Sequence, residues 1–164
     1  MYNRLLLVLP LLAATAAAPA QAPSPAGAQF ERFFTGTTEG SGTVQIALSG
    51  KHRVRDRARG RMEKGALIID QVVEEEGKPA RQRRWRLVRT GGNKVGGTIS
   101  DAKGAVVGEV NGAVLHLKYR LLEGPSVEQW ITLQPPGRTA TNKMVFHRFG
   151  LKVATVQTIA RKID

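Results

Sequence analysis

Cysteine is absent from this chain of 164 residues, and histidine and aromatic residues are scarce. The lack of cysteine excludes a disulfide scaffold, a thiolate zinc site and a thiol nucleophile. The three histidines, His52, His116 and His147, are far apart in the sequence and show no metal-binding spacing. Nucleophile-elbow, phosphate-loop and dinucleotide motifs are missing as well. These absences argue against the common classes of enzyme, and we expect neither catalysis nor a bound cofactor.

Acidic residues are few relative to basic ones. The chain has 25 Lys and Arg against 13 Asp and Glu, which gives a formal net charge of +12. Hydrophobic residues make up 41% and charged residues 23%, which is ordinary for a globular domain and unlike a disordered or multi-span membrane protein. We therefore expect one folded domain, and its excess of positive charge favours anionic partners.

A single apolar run occurs near the N-terminus. It covers residues 5–18 and follows a short segment that carries Arg4. The run is shorter than the roughly 20 residues needed to cross a bilayer, and small residues and prolines follow it. This layout is typical of a secretory signal peptide.

Two sites fit signal-peptide cleavage. Residues 26–28 supply the small side chains required before the cut, and residues 20–22 supply them too, but with Pro23 next to the cut. We favour cleavage after Ala28. The sequence then predicts removal of residues 1–28 and a single domain over residues 29–164, located in the periplasm or the medium.

The rest of the chain consists of short runs in which apolar and polar residues alternate. The clearest runs have as their apolar members Val44, Ile46 and Leu48 in one, and Leu115, Leu117, Tyr119 and Leu121 in the other. This period is typical of strands with one dry face and one wet face. Between runs, Asn111–Gly112 is the strongest turn signal and predicts a two-residue type I′ hairpin.

The number and order of these runs predict the fold class. About ten runs follow one another with only short turns between them, which indicates an all-β fold. A meander of that many half-apolar strands removes its own edges by closing. We therefore predict an antiparallel up-and-down barrel or half-barrel.

Arginine alternates with other residues in one exceptional segment. The residues of this arginine face are Arg53, Arg55, Arg57, Arg59 and Arg61. On a strand they share one side, with Val54, Ala58 and Met62 on the other. Because burying unpaired charges is costly, the arginine face must lie outside the barrel. It is either a solvated wall paired with neighbouring carboxylates or a surface that binds anions.

A second basic run, residues 81–89, contains a tryptophan. Arg83 and Leu87 share a face with Trp85, so an inward Trp85 brings Arg83 toward the interior. An interior arginine is tolerated in a cavity that holds a carboxylate or phosphate, and the alternative is that Arg83 lies in water at the barrel rim. The alternation of its own strand directs Tyr119 inward. Arg83, Trp85 and Tyr119 are therefore the candidate ligand-binding residues.

Several short motifs stand out together. They are Phe33-Phe34-Thr35-Gly36, Gly40-Ser41-Gly42, Trp85, Asp101 with Gly104, Gly108 and Gly112, Gln129-Trp130, Asn142-Lys143 and Arg148-Phe149-Gly150. Over residues 30–162 they resemble the exported bacterial family called domain of unknown function 3833. That family has no established activity, and many members look like lipoproteins. This chain departs from them by lacking the anchoring cysteine.

The opening Phe33-Phe34 segment is also similar to the start of lipocalin-type and nitrobindin-type barrels, which are calycin-like. The resemblance implies a short N-terminal aromatic plug at one end of the barrel, with Arg148 packed over Phe33 or Phe34. A nitrobindin-like haem would use His147, but the alternation places that residue on the outer face. A haem cofactor is therefore not expected.

Three functional hypotheses follow. The first is an exported calycin-like barrel that binds a small apolar or amphipathic ligand, such as a fatty-acid-like molecule, through Arg83, Trp85 and Tyr119. The alternative is a basic surface module that docks on anionic lipid headgroups or cell-surface polyanions through residues 53–61. The third is an enzyme, supported only by Asp56 and Asp70. Nucleic acid is not expected as a partner, because the arginine face has no aromatic residue to stack a base.

The cleavage hypothesis predicts the N-terminus of the exported protein. We expect N-terminal sequencing of protein from the periplasm or medium to begin at Gln29, because residues 26–28 meet the requirement for small side chains before the cut. Recovery of protein that begins at Met1 in the cytosol would contradict export.

Overall fold

The alternating runs form ten strands in the computed structural model, which describes residues 25–164. Most of the predicted signal peptide falls on residues 1–24, outside the described part of the chain. The elements are α1 (Pro25–Phe34), β1 (Gly36–Ile46), β2 (Gly50–Glu63), β3 (Ala66–Glu75), β4 (Arg81–Gly91), β5 (Lys94–Ile99), β6 (Val106–Asn111), β7 (Val114–Arg120), β8 (Ser126–Gln134), β9 (Thr139–Arg148) and β10 (Leu151–Lys162).

Pairing between the first and last strands closes the sheet. β1 pairs antiparallel with β2 on one side and with β10 on the other, from Thr38 opposite Lys162 to Ile46 opposite Ala154. The other strands pair in chain order, so the topology is up-and-down. The prediction of an all-β antiparallel barrel is confirmed, and the closed strand order excludes the half-barrel.

The alternation places most apolar side chains correctly. Leu115, Leu117 and Tyr119 are buried inside the barrel, and so is Trp85 on β4. The expectation for Leu48 is wrong, because β1 ends at Ile46 and Leu48 lies exposed in the following turn. The period-two pattern continues in the sequence for two residues beyond the strand that it describes.

The helix α1 closes one end of the barrel. Phe30 and Phe33 are buried there, and Arg89 of β4 forms an ion pair with Glu31 at 2.9 Å. The N-terminal aromatic plug therefore takes the form of a helix. The opposite end, which we call the open end, is formed by residues 47–49, 76–80, 100–105, 121–125 and 149–150.

The predicted contact of Arg148 with the N-terminal aromatic pair is wrong. β9 ends with Arg148 at the open end, where the guanidinium carbon lies 5.5 Å from the ring centre of Phe149. Phe33 and Phe34 instead contact each other edge to face, with their ring centres 4.9 Å apart. The sequence contains both partners but does not show at which end of the barrel the strand finishes.

Two tight hairpins have both central residues at positive φ, as type I′ turns require. They are Lys64–Gly65 (48° and 77°) and Phe149–Gly150 (52° and 78°). The type I′ hairpin predicted at Asn111–Gly112 is wrong by one residue. Asn111 pairs with Val114, so Gly112 and Ala113 are the central residues, and Gly112 alone of the two has positive φ. Glycine at the first central position suits a type II′ turn instead.

The bounds of α1 bear on the two cleavage sites. The helix begins at Pro25, so a cut after Ala28 removes its first turn, whereas a cut after residue 22 keeps it whole. Phe30 and Phe33 stay in the chain in both cases. Among residues 25–164, no helix has the length and apolar character needed to cross a membrane.

Gly60 provides a test of how α1 is held on the barrel. A Cβ at this position would lie 1.9 Å from the backbone oxygen of Phe34, where the chain leaves the helix. We expect Gly60→Ala to lower the free energy of unfolding by about 1–3 kcal/mol, as overpacking does in tight interiors. Gly124→Ala is the control, because nothing lies within 4 Å of its Cβ position. Equal urea midpoints for the two variants would contradict the close approach.

Candidate functional site

The barrel interior contains two cavities in line. An open chamber of about 290 Å³ reaches the open end, and an inner chamber of about 60 Å³ lies deeper, beside Phe34 of α1. Side chains shared by both cavities separate them, among them Trp85 and Gln129. The protein side chains therefore leave a cavity in the interior on the side away from the helix.

Polar side chains surround the interior where the two chambers meet. We call this group the polar belt, and its members are Asp56, Gln71, Arg83, Asp101, Tyr119, Gln129, Asn142 and Thr158. Seven of them project inward from strands, and Asp101 comes from the segment between β5 and β6. Because each of the seven strand residues takes an inward position of the period-two alternation, no strand has to break its pattern to supply it.

On one side the belt is a short hydrogen-bonded chain. The Trp85 indole Nε1 donates to Gln71 Oε1 at 3.0 Å, and Gln71 Nε2 donates to Asp56 Oδ2 at 3.0 Å. The amide of Gln71 therefore has a defined orientation, fixed by a donor on one side and an acceptor on the other.

On the other side, four residues from successive strands form a second chain. The Tyr119 hydroxyl donates to Gln129 Oε1 at 3.2 Å, Gln129 Nε2 donates to Asn142 Oδ1 at 2.9 Å, and Asn142 Nδ2 donates to Thr158 Oγ1 at 3.2 Å. The chain crosses β7, β8, β9 and β10 in order. Buried polar groups that are paired in this way add rigidity to the barrel instead of weakening it.

Arg83 lies at the centre of the belt. Its Nε lies 3.0 and 2.9 Å from the two carboxylate oxygens of Asp101, and its side chain is almost completely buried. Its guanidinium carbon lies 5.1 Å from the ring centre of Trp85 and 6.0 Å from that of Tyr119. The two rings meet edge to face at 5.6 Å. The aromatic faces and the carboxylate together compensate the charge of an interior arginine.

Asp56 is the ionisable group that lines both cavities. One of its carboxylate oxygens would lie 2.1 Å from a Cβ on Gly40, the residue opposite it on β1, so the glycine makes room for this carboxyl group. Burial raises the pKa of Asp56, while the hydrogen bond from Gln71 and the charge of Arg83 act in the opposite direction. Burial likewise raises the pKa of Tyr119.

The structure brings the three predicted residues together. Arg83, Trp85 and Tyr119 form one cluster at the belt, and Arg83 lies in the interior and not at the rim. The predicted interior carboxylate is supplied by the protein itself, as Asp101. Sequence reasoning considered Asp56 only as a partner of Asp70 and missed its place in the interior, although its position between Val54 and Ala58 on β2 marks it as inward-facing.

Apolar side chains line one wall of the open chamber. They come from β1, β2, β9 and β10 and are Val44, Ile46, Val54, Met144, Phe146, Val153 and Val156. Next to this wall, on β3, β4 and the turn between them, lie Glu75, Lys78 and Arg81, with Lys78 paired to Glu75 at 2.6 Å. The chamber thus has an apolar wall, a charged wall and a polar floor.

The arginine face lies on the outside of β2, as predicted. Arg53 pairs with Glu76 at 3.2 Å, Arg57 with Glu39 at 3.0 Å, and Arg61 with both Glu63 and Asp70 at 2.6 and 2.8 Å. These contacts match the solvated-wall interpretation. In residues 25–164, no carboxylate lies within 4 Å of Arg55 or Arg59.

The two carboxylates considered for catalysis do not meet. Asp56 faces the interior, whereas Asp70 lies on the outer surface, bound to Arg61 and to Arg84 at 2.5 Å. The carboxylate pair considered for an enzyme therefore does not form, because the register places the two residues on opposite faces of adjacent strands. Nor does His147 line either chamber. Within the described residues, no group of three His, Asp or Glu side chains is arranged to hold a metal ion.

Comparison with known proteins identifies the family. The model of the family described as protein of unknown function (DUF3833) matches residues 11–162, nearly the whole chain. The chain belongs to this family. No curated protein matches this DUF3833 member.

A solved structure shows the same fold. The S-type phycobiliprotein lyase CPES from Guillardia theta is similar to this DUF3833 chain with a TM-score of 0.66 and 9% sequence identity. The match covers 84% of this chain and 92% of that protein. At this identity the similarity establishes the calycin-like fold and nothing further.

The shifted pKa of Asp56 predicts an unusual pH dependence of stability. A carboxyl group whose folded pKa is raised favours the folded state below its unfolded pKa, and that contribution is lost as pH rises through the folded value. We therefore expect Asp56→Asn to raise the denaturant midpoint near neutral pH, with the gain shrinking as pH falls to about 4.

Asp70→Asn is the matched control for Asp56→Asn. Hydrogen bonds from Arg84 and Arg61 lower the pKa of Asp70, so its contribution is present at neutral pH and is lost as pH falls. The two variants should therefore change the midpoint in opposite directions at neutral pH. A decrease for Asp56→Asn would contradict the raised pKa.

Proposed function

We propose that the protein binds a small amphipathic molecule in the open chamber. Its apolar part would lie against the wall formed by β1, β2, β9 and β10, and its polar head would meet the belt at Arg83. The observation that carries this proposal is the chamber of about 290 Å³, which is apolar on one side and ends on oriented polar groups. Ligand sites usually have this composition, and the volume is at the small end of their range.

The surroundings of Arg83 favour an acidic or hydrogen-bond-accepting head group. Asp101, Trp85 and Tyr119 hold the guanidinium in place before any ligand arrives, which reduces the entropy lost on binding. Asp101 also neutralises part of its charge. A ligand carboxylate would have to share Arg83 with Asp101, which favours a modest affinity.

We infer that binding takes place outside the cytoplasm. The proposal rests on the apolar run at residues 5–18 and the small residues that follow it. The fold shared with a phycobiliprotein lyase is consistent with a barrel whose interior has a function.

Filling the chamber should abolish binding. Ala154 lines the open chamber on β10, whereas Thr155 beside it lies on the other face of the strand. We expect Ala154→Trp to remove saturable binding of a fluorescent medium-chain fatty acid while the circular dichroism spectrum stays unchanged. Thr155→Trp should bind the probe like the parent. Unchanged binding by folded Ala154→Trp would place the probe elsewhere.

Removing the interior positive charge should selectively weaken the binding of an acidic probe. A hydrogen bond to a charged group contributes about 1.5–3 kcal/mol, so Arg83→Gln should weaken binding of the fatty acid at least about tenfold. The corresponding fatty alcohol should lose much less affinity. Arg84→Gln is the control, because Arg84 is exposed and bound to Asp70 on the outer surface. Equal losses for acid and alcohol would show that Arg83 does not meet the head group.

Docking on a polyanion through the arginine face is the second candidate function. Arg55 and Arg59 favour it, since no carboxylate of residues 25–164 lies within 4 Å of either. Three of the five arginines already have carboxylate partners, which lowers the net positive charge that the face presents. This candidate therefore depends on two side chains.

A further inference from the structure

The three most exposed large apolar side chains of the described chain lie together at the open end. Their relative exposures are 109% for Leu48, 93% for Phe149 and 72% for Leu151. Leu48 belongs to the turn between β1 and β2, and the other two belong to the hairpin between β9 and β10. These turns are neighbours, since Ala47 N–H donates to the Val153 carbonyl at 2.9 Å. We call Leu48, Phe149 and Leu151 the apolar rim.

Neither packing in the barrel core nor the geometry of the turns accounts for large apolar side chains at these positions. Leu48 and Phe149 have φ values of 68° and 52°, in the left-handed region that favours glycine and asparagine. At the closed end, the described non-glycine residue with positive φ is Lys64, which is polar and exposed. Two bulky apolar side chains at such positions combine backbone strain with exposure to water, and a strained position of this kind suggests a functional constraint.

The charged residues near the two turns that carry the apolar rim are all basic. No acidic residue occurs between Glu39 and Asp56 or between Glu128 and Asp164, the two stretches that contain these turns. Basic side chains flank the rim on both turns and are exposed, namely Lys51, Arg148 and Lys152. These two turns are therefore apolar at their tips and cationic directly behind them, whereas the neighbouring turn between β3 and β4 carries Glu76, which pairs with Arg53.

The apolar rim also continues the wall of the open chamber. Ile46, Phe146 and Val153 line the chamber near its mouth, and each lies within five residues of a rim side chain. A surface covering the rim would thus lie at the entrance of the cavity.

We propose that the apolar rim docks the barrel on the surface of a lipid bilayer with anionic headgroups. Leu48, Phe149 and Leu151 enter the interface between headgroups and acyl chains, and the flanking basic side chains lie among the phosphates. Apolar tips with cations behind them match this boundary, where burial of apolar area and attraction to anionic lipid act together. Docking in this orientation presents the mouth of the open chamber to the membrane. The proposal does not depend on what the chamber binds.

Co-sedimentation with vesicles tests the docking. The vesicles contain phosphatidylglycerol and phosphatidylcholine in equal amounts, and pure phosphatidylcholine vesicles serve for comparison. The decisive variant is Leu48→Asn/Phe149→Asn, because asparagine tolerates the left-handed backbone and should leave the fold intact. We expect it to bind the anionic vesicles at least about tenfold more weakly than the parent, since it removes two apolar anchors. Phe149→Trp should bind as tightly as the parent or more tightly.

Matched variants separate the rim from other surfaces. Val72→Thr/Ile159→Thr removes two apolar side chains from the outer wall, and Arg55→Ser/Arg59→Ser removes two cations from the arginine face. Both should bind the anionic vesicles within about threefold of the parent at physiological salt. All proteins share the same N-terminus, so residues 1–28 contribute equally to each measurement.

The result for the asparagine variant decides the proposal. A parent that does not bind anionic vesicles, or an asparagine variant that binds within threefold of the parent, overturns rim docking. If the arginine-face variant loses binding and the asparagine variant does not, docking takes place through the arginine face, which is the second candidate function. Saturable binding of the fluorescent fatty acid in the absence of vesicles should be the same for the asparagine variant and the parent. Failure of rim docking is thereby distinguished from failure of the proposed ligand site.

Discussion

The pairing of β1 with β10 is the contact on which the rest of the structure depends. It joins residues more than one hundred positions apart, from Thr38 opposite Lys162 to Ile46 opposite Ala154. Closure satisfies the backbone groups of both terminal strands and leaves no sheet edge. It also gives every strand an inside and an outside, so each residue of the alternation belongs either to the cavity or to the surface. The chambers, the polar belt and the arginine face all follow from this distinction.

The polar belt shows that the interior is not arranged for stability alone. A barrel filled with apolar side chains would avoid the cost of burying Asp56 and Arg83. Instead, Gly40 makes room for the carboxyl group, and Asp101, Trp85 and Tyr119 compensate the guanidinium. Polar groups that are oriented at a cost in stability, beside an open chamber, are characteristic of binding sites.

The two ends of the barrel differ in physical character. At the closed end, Phe30 and Phe33 of α1 bury apolar area against the strands. At the open end, Leu48, Phe149 and Leu151 remain exposed among basic side chains. The two ends of the barrel therefore present different surfaces. Entry to the chamber, the charged mouth and the proposed contact with a bilayer all lie on the side away from the helix.

The sequence by itself determined what depends on neighbouring residues. Period-two alternation predicted the strands, the outward arginine face and the inward positions of Trp85 and Tyr119, because side-chain direction on a strand is a local property. Only the tertiary structure decided which distant residues meet. Closure and register brought Asp101 to Arg83, separated Asp56 from Asp70, and carried Arg148 away from Phe33. Strand register and direction depend on pairing between distant segments, and no local pattern encodes that pairing.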